Sequence, residues 1–198
     1  MNKKVFEHVY KHPLIDDKEL ILIMNVHEKV NVKKGAFIIK EGQTANEYLI
    51  VESGLMRSFV YSCKGDDITT NFFTVNEIVI EVSALFERIP TKESIQALTD
   101  CICYQINFDV FKELFHSLDG FREWGKVWLS GNLFHFKQRS VSMIAYSASE
   151  RYLMLSKEKP QTIQYAPLKT IASYLGITDT SLSRIRKSLV KAGEQKLS

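Results

Sequence analysis

The sequence predicts an α+β fold in which a strand-rich first half gives way to helices. Three observations carry this. Residues 26–107 fall into short apolar or alternating runs separated by turn signals. The segment from Phe121 to about Tyr146 holds no proline and many bulky apolar residues. Pro167 to Leu189 reads as two short helices joined at a glycine. With 198 residues, 45% of them apolar, the chain can bury a substantial core in one large or two small domains. Nine Gly and four Pro exclude collagen-like and low-complexity composition.

Taken in order, a short helix is expected over Asp17–Asn25. Turn signals at Lys33-Lys34-Gly35, Glu41-Gly42-Gln43, Ser53-Gly54, Lys64-Gly65-Asp66 and Val75-Asn76-Glu77 then bracket four strands. These are Phe37–Ile39, Tyr48–Val51, Met56–Tyr61 and Ile68–Thr74, followed by Ile95–Leu98 and Cys101–Ile106. Strands recurring at roughly 8–12 residues indicate a sandwich or barrel rather than βαβ units. Asn107-Phe108-Asp109 caps a short amphipathic helix through Phe115. The proline-free segment that follows would reach about 39 Å as a helix. Its apolar groups exceed what one adjoining β-domain needs to cover. Phe121, Trp124, Trp128 and Phe134 are therefore read as a dimer seam. Another helix starts at Ser149 and ends before Pro160, and a loop runs on to Pro167.

The formal charge of +3 hides an asymmetry. Residues 1–150 carry 17 basic and 20 acidic side chains, whereas residues 151–198 carry 9 basic and 3 acidic ones, a balance of −3 against +6. A basic tail on an acidic body points to an anionic partner for the tail. Three cysteines, Cys63, Cys101 and Cys103, fit reduced thiols in a cytoplasm better than a disulfide framework. No metal site is read from them. The longest apolar stretch, Leu20–Met24, is too short to span a bilayer, and no secretory leader is read at the start. There is no H-E-x-x-H, P-loop or G-x-S-x-G, so the sequence is not read as an enzyme.

The segment PLKTIASYLGITDTSLSRIRKSL carries the most specific signal. Pro167 suits a first helical turn, and Ile171, Ala172 and Leu175 form an inner face. Gly176 stops the helix, and Thr178 caps a second one running from Asp179 to about Lys191. Leu182, Ile185 and Leu189 point inward. This is the spacing of a helix-turn-helix, whose second helix enters the major groove of double-stranded DNA. Thr180, Ser183 and Arg184 are read as base contacts, with Arg184 suited to a guanine edge. Lys169, Thr178, Ser181, Arg186 and Lys187 are assigned to phosphates. The competing reading is a ligand-binding or protein-interaction module whose C-terminal hairpin does not read DNA.

The order of parts resembles the Crp/Fnr family of bacterial transcription regulators over nearly the whole chain. The runs Ser149-Glu150-Arg151-Tyr152-Leu153 and Ile171-Ala172-Ser173-Tyr174-Leu175-Gly176-Ile177 look most like Bacteroidetes-type members. Gly35, Gly42 and Gly54, with Tyr48-Leu49-Ile50, look like that family's cyclic-nucleotide-binding roll. The resemblance implies an N-terminal β-roll (a double-stranded β-helix or jelly roll) over residues 1–118. It further implies a long dimerisation helix over 119–147 and a winged helix-turn-helix domain over 148–198. It implies a cytoplasmic homodimer on two-fold symmetric DNA, with RNA polymerase as a partner if it activates, and no membrane association. Only nine residues follow Leu189, so the wing is expected to be absent or rudimentary.

The effector segment departs from the family pattern. A Gly-Glu-Leu turn is replaced by Ile80-Glu81-Val82, and an Arg-Ser pair by Glu93-Ser94. Asn76 stands where a turn glycine is usual. Exchanging the phosphate-binding cation for Glu93 turns attraction into repulsion. Cyclic nucleotide binding in the usual manner is therefore not expected, no cofactor is predicted, and any effector is an unknown small molecule.

Overall fold

A computed structural model describes residues 1–194, with side chains through residue 190. Two four-stranded antiparallel sheets face each other across the main core. The first has the order β1 (Glu28–Val32), β8 (Cys101–Asn107), β3 (Glu47–Ser53), β6 (Ile78–Val79). The second has the order β2 (Phe37–Ile39), β7 (Ser94–Ala97), β4 (Met56–Tyr61), β5 (Asp67–Phe73). Non-consecutive neighbours in both sheets give the jelly-roll winding. Cys101 and Cys103 both lie in the core, where burial pushes the Cys103 thiol up to about 12. No group of metal-ligating side chains occurs among the described residues.

Turn chemistry fixes the strand ends. Asn76 adopts φ 69°, so the residue standing at a glycine position takes the glycine-like conformation. Asn is among the few side chains that tolerate it. Gly54, at φ 103°, admits no side chain at all, because a Cβ there would lie 2.6 Å from the Asp100 carbonyl oxygen.

Helices α1 (Lys3–Val9) and α2 (Asp17–Asn25) close one end of the roll. α3 (Phe108–Ser117) starts at the Asn107 cap. α4 (Asp119–Ala145) then leads away from the β-domain. Two of the four residues read as its dimer seam are instead core: Phe121 is fully buried and Trp124 is 5% exposed. Both pack on Tyr10, and the Trp124 indole N–H donates to the Val9 carbonyl at 2.8 Å. Trp128 is half-buried against the same core, whereas Phe134 remains 58% exposed. α1 was not anticipated, yet it supplies the surface that claims these aromatic groups.

The C-terminal part contains α5 (Ala148–Glu158), α6 (Pro160–Tyr165), α7 (Leu168–Tyr174) and α8 (Asp179–Glu194). Ser147 and Glu150 form a reciprocal capping box for α5. α5 ends before Pro160 as expected, but the loop expected before Pro167 is largely α6, with Pro160 at its first position. Pro167 lies just before α7, not inside its first turn. α8 continues through Glu194, so residues 190–194 are helix, and 195–198, the remainder of the expected wing region, lie outside the described residues. Among the described residues, no helix is long and apolar enough to cross a membrane.

Candidate nucleic-acid interface

The turn between α7 and α8 is built from backbone geometry that the sequence dictates. Gly176 takes φ 67°, and its N–H donates to Ser173 O while Ile177 N–H donates to Ala172 O at 3.0 Å. This pair of bonds satisfies the last carbonyls of α7 and reverses the chain. Thr178 Oγ1 accepts from Ser181 N at 3.2 Å, capping α8. Ile171, Ala172, Leu175 and Leu182 are buried together, and Ile185 and Leu189 pack on them.

With Leu182, Ile185 and Leu189 inward, helical periodicity places Thr180, Ser183, Arg184 and Lys187 on the opposite face. Thr180, Arg184 and Lys187 are exposed and Ser183 is half-buried. Ser181 and Arg186 flank this face, and Lys169 is exposed on α7. Thr178 is engaged otherwise, because its hydroxyl also meets Thr180 Oγ1 and Ser181 Oγ at 2.9 Å.

Not every cation of the basic tail is available for an anion. Lys159 Nζ pairs with Glu77 Oε1 at 2.7 Å and also donates to the Phe72 carbonyl. Arg151 donates to the Leu175 carbonyl at 2.9 Å. Lys159 ties the helical part to the β-domain, and Arg151 ties α5 to the end of α7. Sequence reading missed this docking entirely. Ser173 Oγ accepts from the backbone N–H of Thr69 at 3.1 Å, Tyr174 packs on Phe72, and Arg139 of α4 stacks 4.2 Å over the Tyr174 ring. Leu55 and Phe72 of the β-domain share one apolar cluster with Tyr152, Leu155 and Ile171.

The segment at the nucleotide-type position is satisfied from within. Glu81 accepts from Ala84 N at 2.6 Å and Ser83 Oγ at 2.9 Å, capping a π-helical turn over Ser83–Glu87. Ser94 Oγ accepts from Glu41 N at 3.0 Å. Glu93 is half-buried, and desolvation raises its carboxyl above the ordinary value. The hydroxyls of Thr70 and Ser58 partly offset that, Glu81 adds repulsion, and Arg139 adds an attraction. Ile80 is half-buried and Val82 exposed. A cyclic phosphate placed here would meet the carboxylates of Glu81 and Glu93, with Arg139 the cation that acts on Glu93.

Residues 29–117 match the cyclic nucleotide-binding domain family. No curated protein matches the chain by sequence. Among solved structures, FixK2 of Bradyrhizobium japonicum superposes with a TM-score of 0.74 at 18% identity, covering 85% of this chain and 86% of its own. CLP of Xanthomonas campestris, described as a c-di-GMP responsive global regulator, gives 0.68 at 17% identity, covering 90% and 93%. The catabolite activator protein of Thermus thermophilus gives 0.59 at 16% identity, covering 93% and 88%. Roll, long helix and C-terminal helices thus share one architecture with these proteins.

Proposed function

We propose that this chain, a cyclic nucleotide-binding domain protein with the architecture of Crp/Fnr-type regulators, is a homodimeric, sequence-specific DNA-binding transcription regulator of the cytoplasm. One observation carries the reading: α8 stands on a buried helix-turn-helix core and presents Thr180, Ser183, Arg184 and Lys187 on one outward face. Thr180, Ser183 and Arg184 reach base edges in the major groove. Lys169, Ser181, Arg186 and Lys187 contact phosphates, with Thr178 in a secondary role because it caps α8. Two copies join along α4, which divides a sensor (1–118) from a reader (148–198). No chemical step is assigned to the chain.

The carboxylate pair Glu81 and Glu93 supports a regulator that does not take cyclic AMP in the usual manner. Binding-site selection from random DNA duplexes tests the main reading directly. A two-fold symmetric site is expected, with affinity falling steeply as salt rises. In the Arg184→Ala variant the selected site should weaken by about 1–3 kcal/mol, with preference relaxed at one position of each half-site. An unchanged preference removes Arg184 from the base contacts. Absence of any salt-dependent DNA affinity favours the protein-interaction module instead.

A further inference from the structure

At the root of α4, where it leaves the roll, lies a cavity of about 320 Å³ whose lining includes none of Glu81, Glu93 or Ser94. Its walls are aromatic: Phe86 of the π-helical turn, Phe108, Phe111 and Phe115 of α3, and Trp124 and Trp128 of α4. Gly125 lets α3 and α4 close on each other here, since a Cβ at that position would come within 2.9 Å of the Phe115 ring. The π-helical turn, a rare element that favours functional sites, brings Phe86 into the wall while leaving it partly exposed. The size and the apolar walls are those of a small-molecule site.

Polar character is confined to one side. Lys112 and His116 lie four residues apart on α3, hence on one face, and both border the cavity. The Lys112 ammonium sits 5.1 Å from the centre of the Phe108 ring, and the Arg88 guanidinium 5.7 Å from the same ring. Asp109 pairs with Lys112 at 2.8 Å, but both groups face solvent. Such a surface pair contributes little and exchanges readily for a better-placed anion. The cavity therefore combines an apolar interior with the Lys112 ammonium and the His116 imidazole at its rim.

From this we infer that the cavity binds an amphiphilic carboxylate of the medium-chain fatty acid class, with its chain among the aromatic rings and its carboxylate at Lys112 and His116. The walls are mostly apolar, which suits an alkyl chain better than a ribose or a phosphate. A second copy of the chain is the other candidate occupant. The heptad-spaced residues Val127, Phe134 and Val141 lie roughly 60–180° around α4 from Trp124, Gly125 and Trp128, so a seam along them is centred away from the cavity. Binding here does not depend on the DNA-reading proposal. The step from occupancy to a change in DNA affinity, transmitted by α4, does rest on it.

The two tryptophans of the sequence, Trp124 and Trp128, both line the cavity, so their emission reports occupancy. The full-length protein is titrated with decanoate below its micelle concentration, and with decanol as the neutral counterpart, in wild type and in Lys112→Gln. Lys112 is half exposed, so this variant leaves the core intact. The inference expects a saturable change at one decanoate per chain, weakened about tenfold by Lys112→Gln and about tenfold by exchange for decanol. It is overturned by the absence of a saturable change, or by equal binding of decanol and decanoate that ignores Lys112. It is equally overturned if tryptophan emission follows protein concentration alone, because the partner copy then fills the cavity. Loss of DNA binding with decanoate binding intact would refute the functional proposal and leave the site standing.

Discussion

His27 is a titratable group buried in the main core. Its ring is 2% exposed, with Nδ1 2.7 Å from the Ile23 carbonyl and Nε2 2.9 Å from the Tyr10 hydroxyl. The Tyr10 hydroxyl is in turn 2.7 Å from that of Tyr48. With the proton on Nδ1, the ring donates to Ile23 and accepts from Tyr10, while Tyr10 accepts from Tyr48, so every group in the chain is satisfied while neutral. Burial holds the His27 pKa down at about 4, against an ordinary value of 6.5. The unfolded chain therefore binds a proton that the folded chain refuses between those values. Stability is full above about pH 6.5 and declines as pH falls toward 4, by about 3 kcal/mol from this residue. Urea denaturation at a series of pH values should show this decline in wild type. In His27→Gln the decline should be shallower, although the variant is less stable at neutral pH. Parallel curves for the two proteins would contradict it.

At the scale of elements, the turns carry more of the specification than the strands between them. Gly54 → Ala should illustrate this. Its φ of 103° and the Asp100 carbonyl at 2.6 Å leave a methyl group nowhere to go, and both obstacles are backbone. A loss of about 2–4 kcal/mol in thermal or chemical denaturation is expected, well above that of an exposed turn glycine such as Gly42. Legibility follows the same division. Six strands were readable because glycine or asparagine turns bound apolar runs, whereas β6, two residues long, shows no period. α1 escaped because seven residues with no side-chain cap give weak helical signal. The outward face of α8 was legible, since a single helix repeat fixes which side chains oppose Leu182 and Ile185. The docking of α7 was not, because Thr69 and Ser173 are 104 positions apart and neither belongs to a local pattern. The misplaced seam has the same origin: amphipathic spacing reports that Phe121 and Trp124 need cover, not whether α1 or another chain provides it.

For the whole molecule, what remains uncovered on α4 is the surface that the proposed dimer would use. Val127, Phe134 and Val141 are 61%, 58% and 44% exposed, and they recur every seven residues. That is the repeat by which two helices supercoil. Phe134→Glu should yield a monomer by light scattering, with unchanged circular dichroism, because the residue makes no contribution to the core of its own chain. Its affinity for a two-fold site should collapse to that of a single reader, while Trp124→Glu should unfold the roll instead. A variant that stays dimeric would move the seam to the neighbouring stripe of Leu133 and Ile144.

The docking of α7 has a consequence for the way this molecule fails. β5 is the outermost strand of its sheet, and Ser173 occupies the backbone N–H of Thr69 that a further strand would take. A sheet border left bare invites pairing with another chain. The C-terminal helices thus act as a guard on that border. Conditions that loosen Lys159 from Glu77 should release not only the C-terminal helices but an adhesive edge, making misassembly the cost of swinging open.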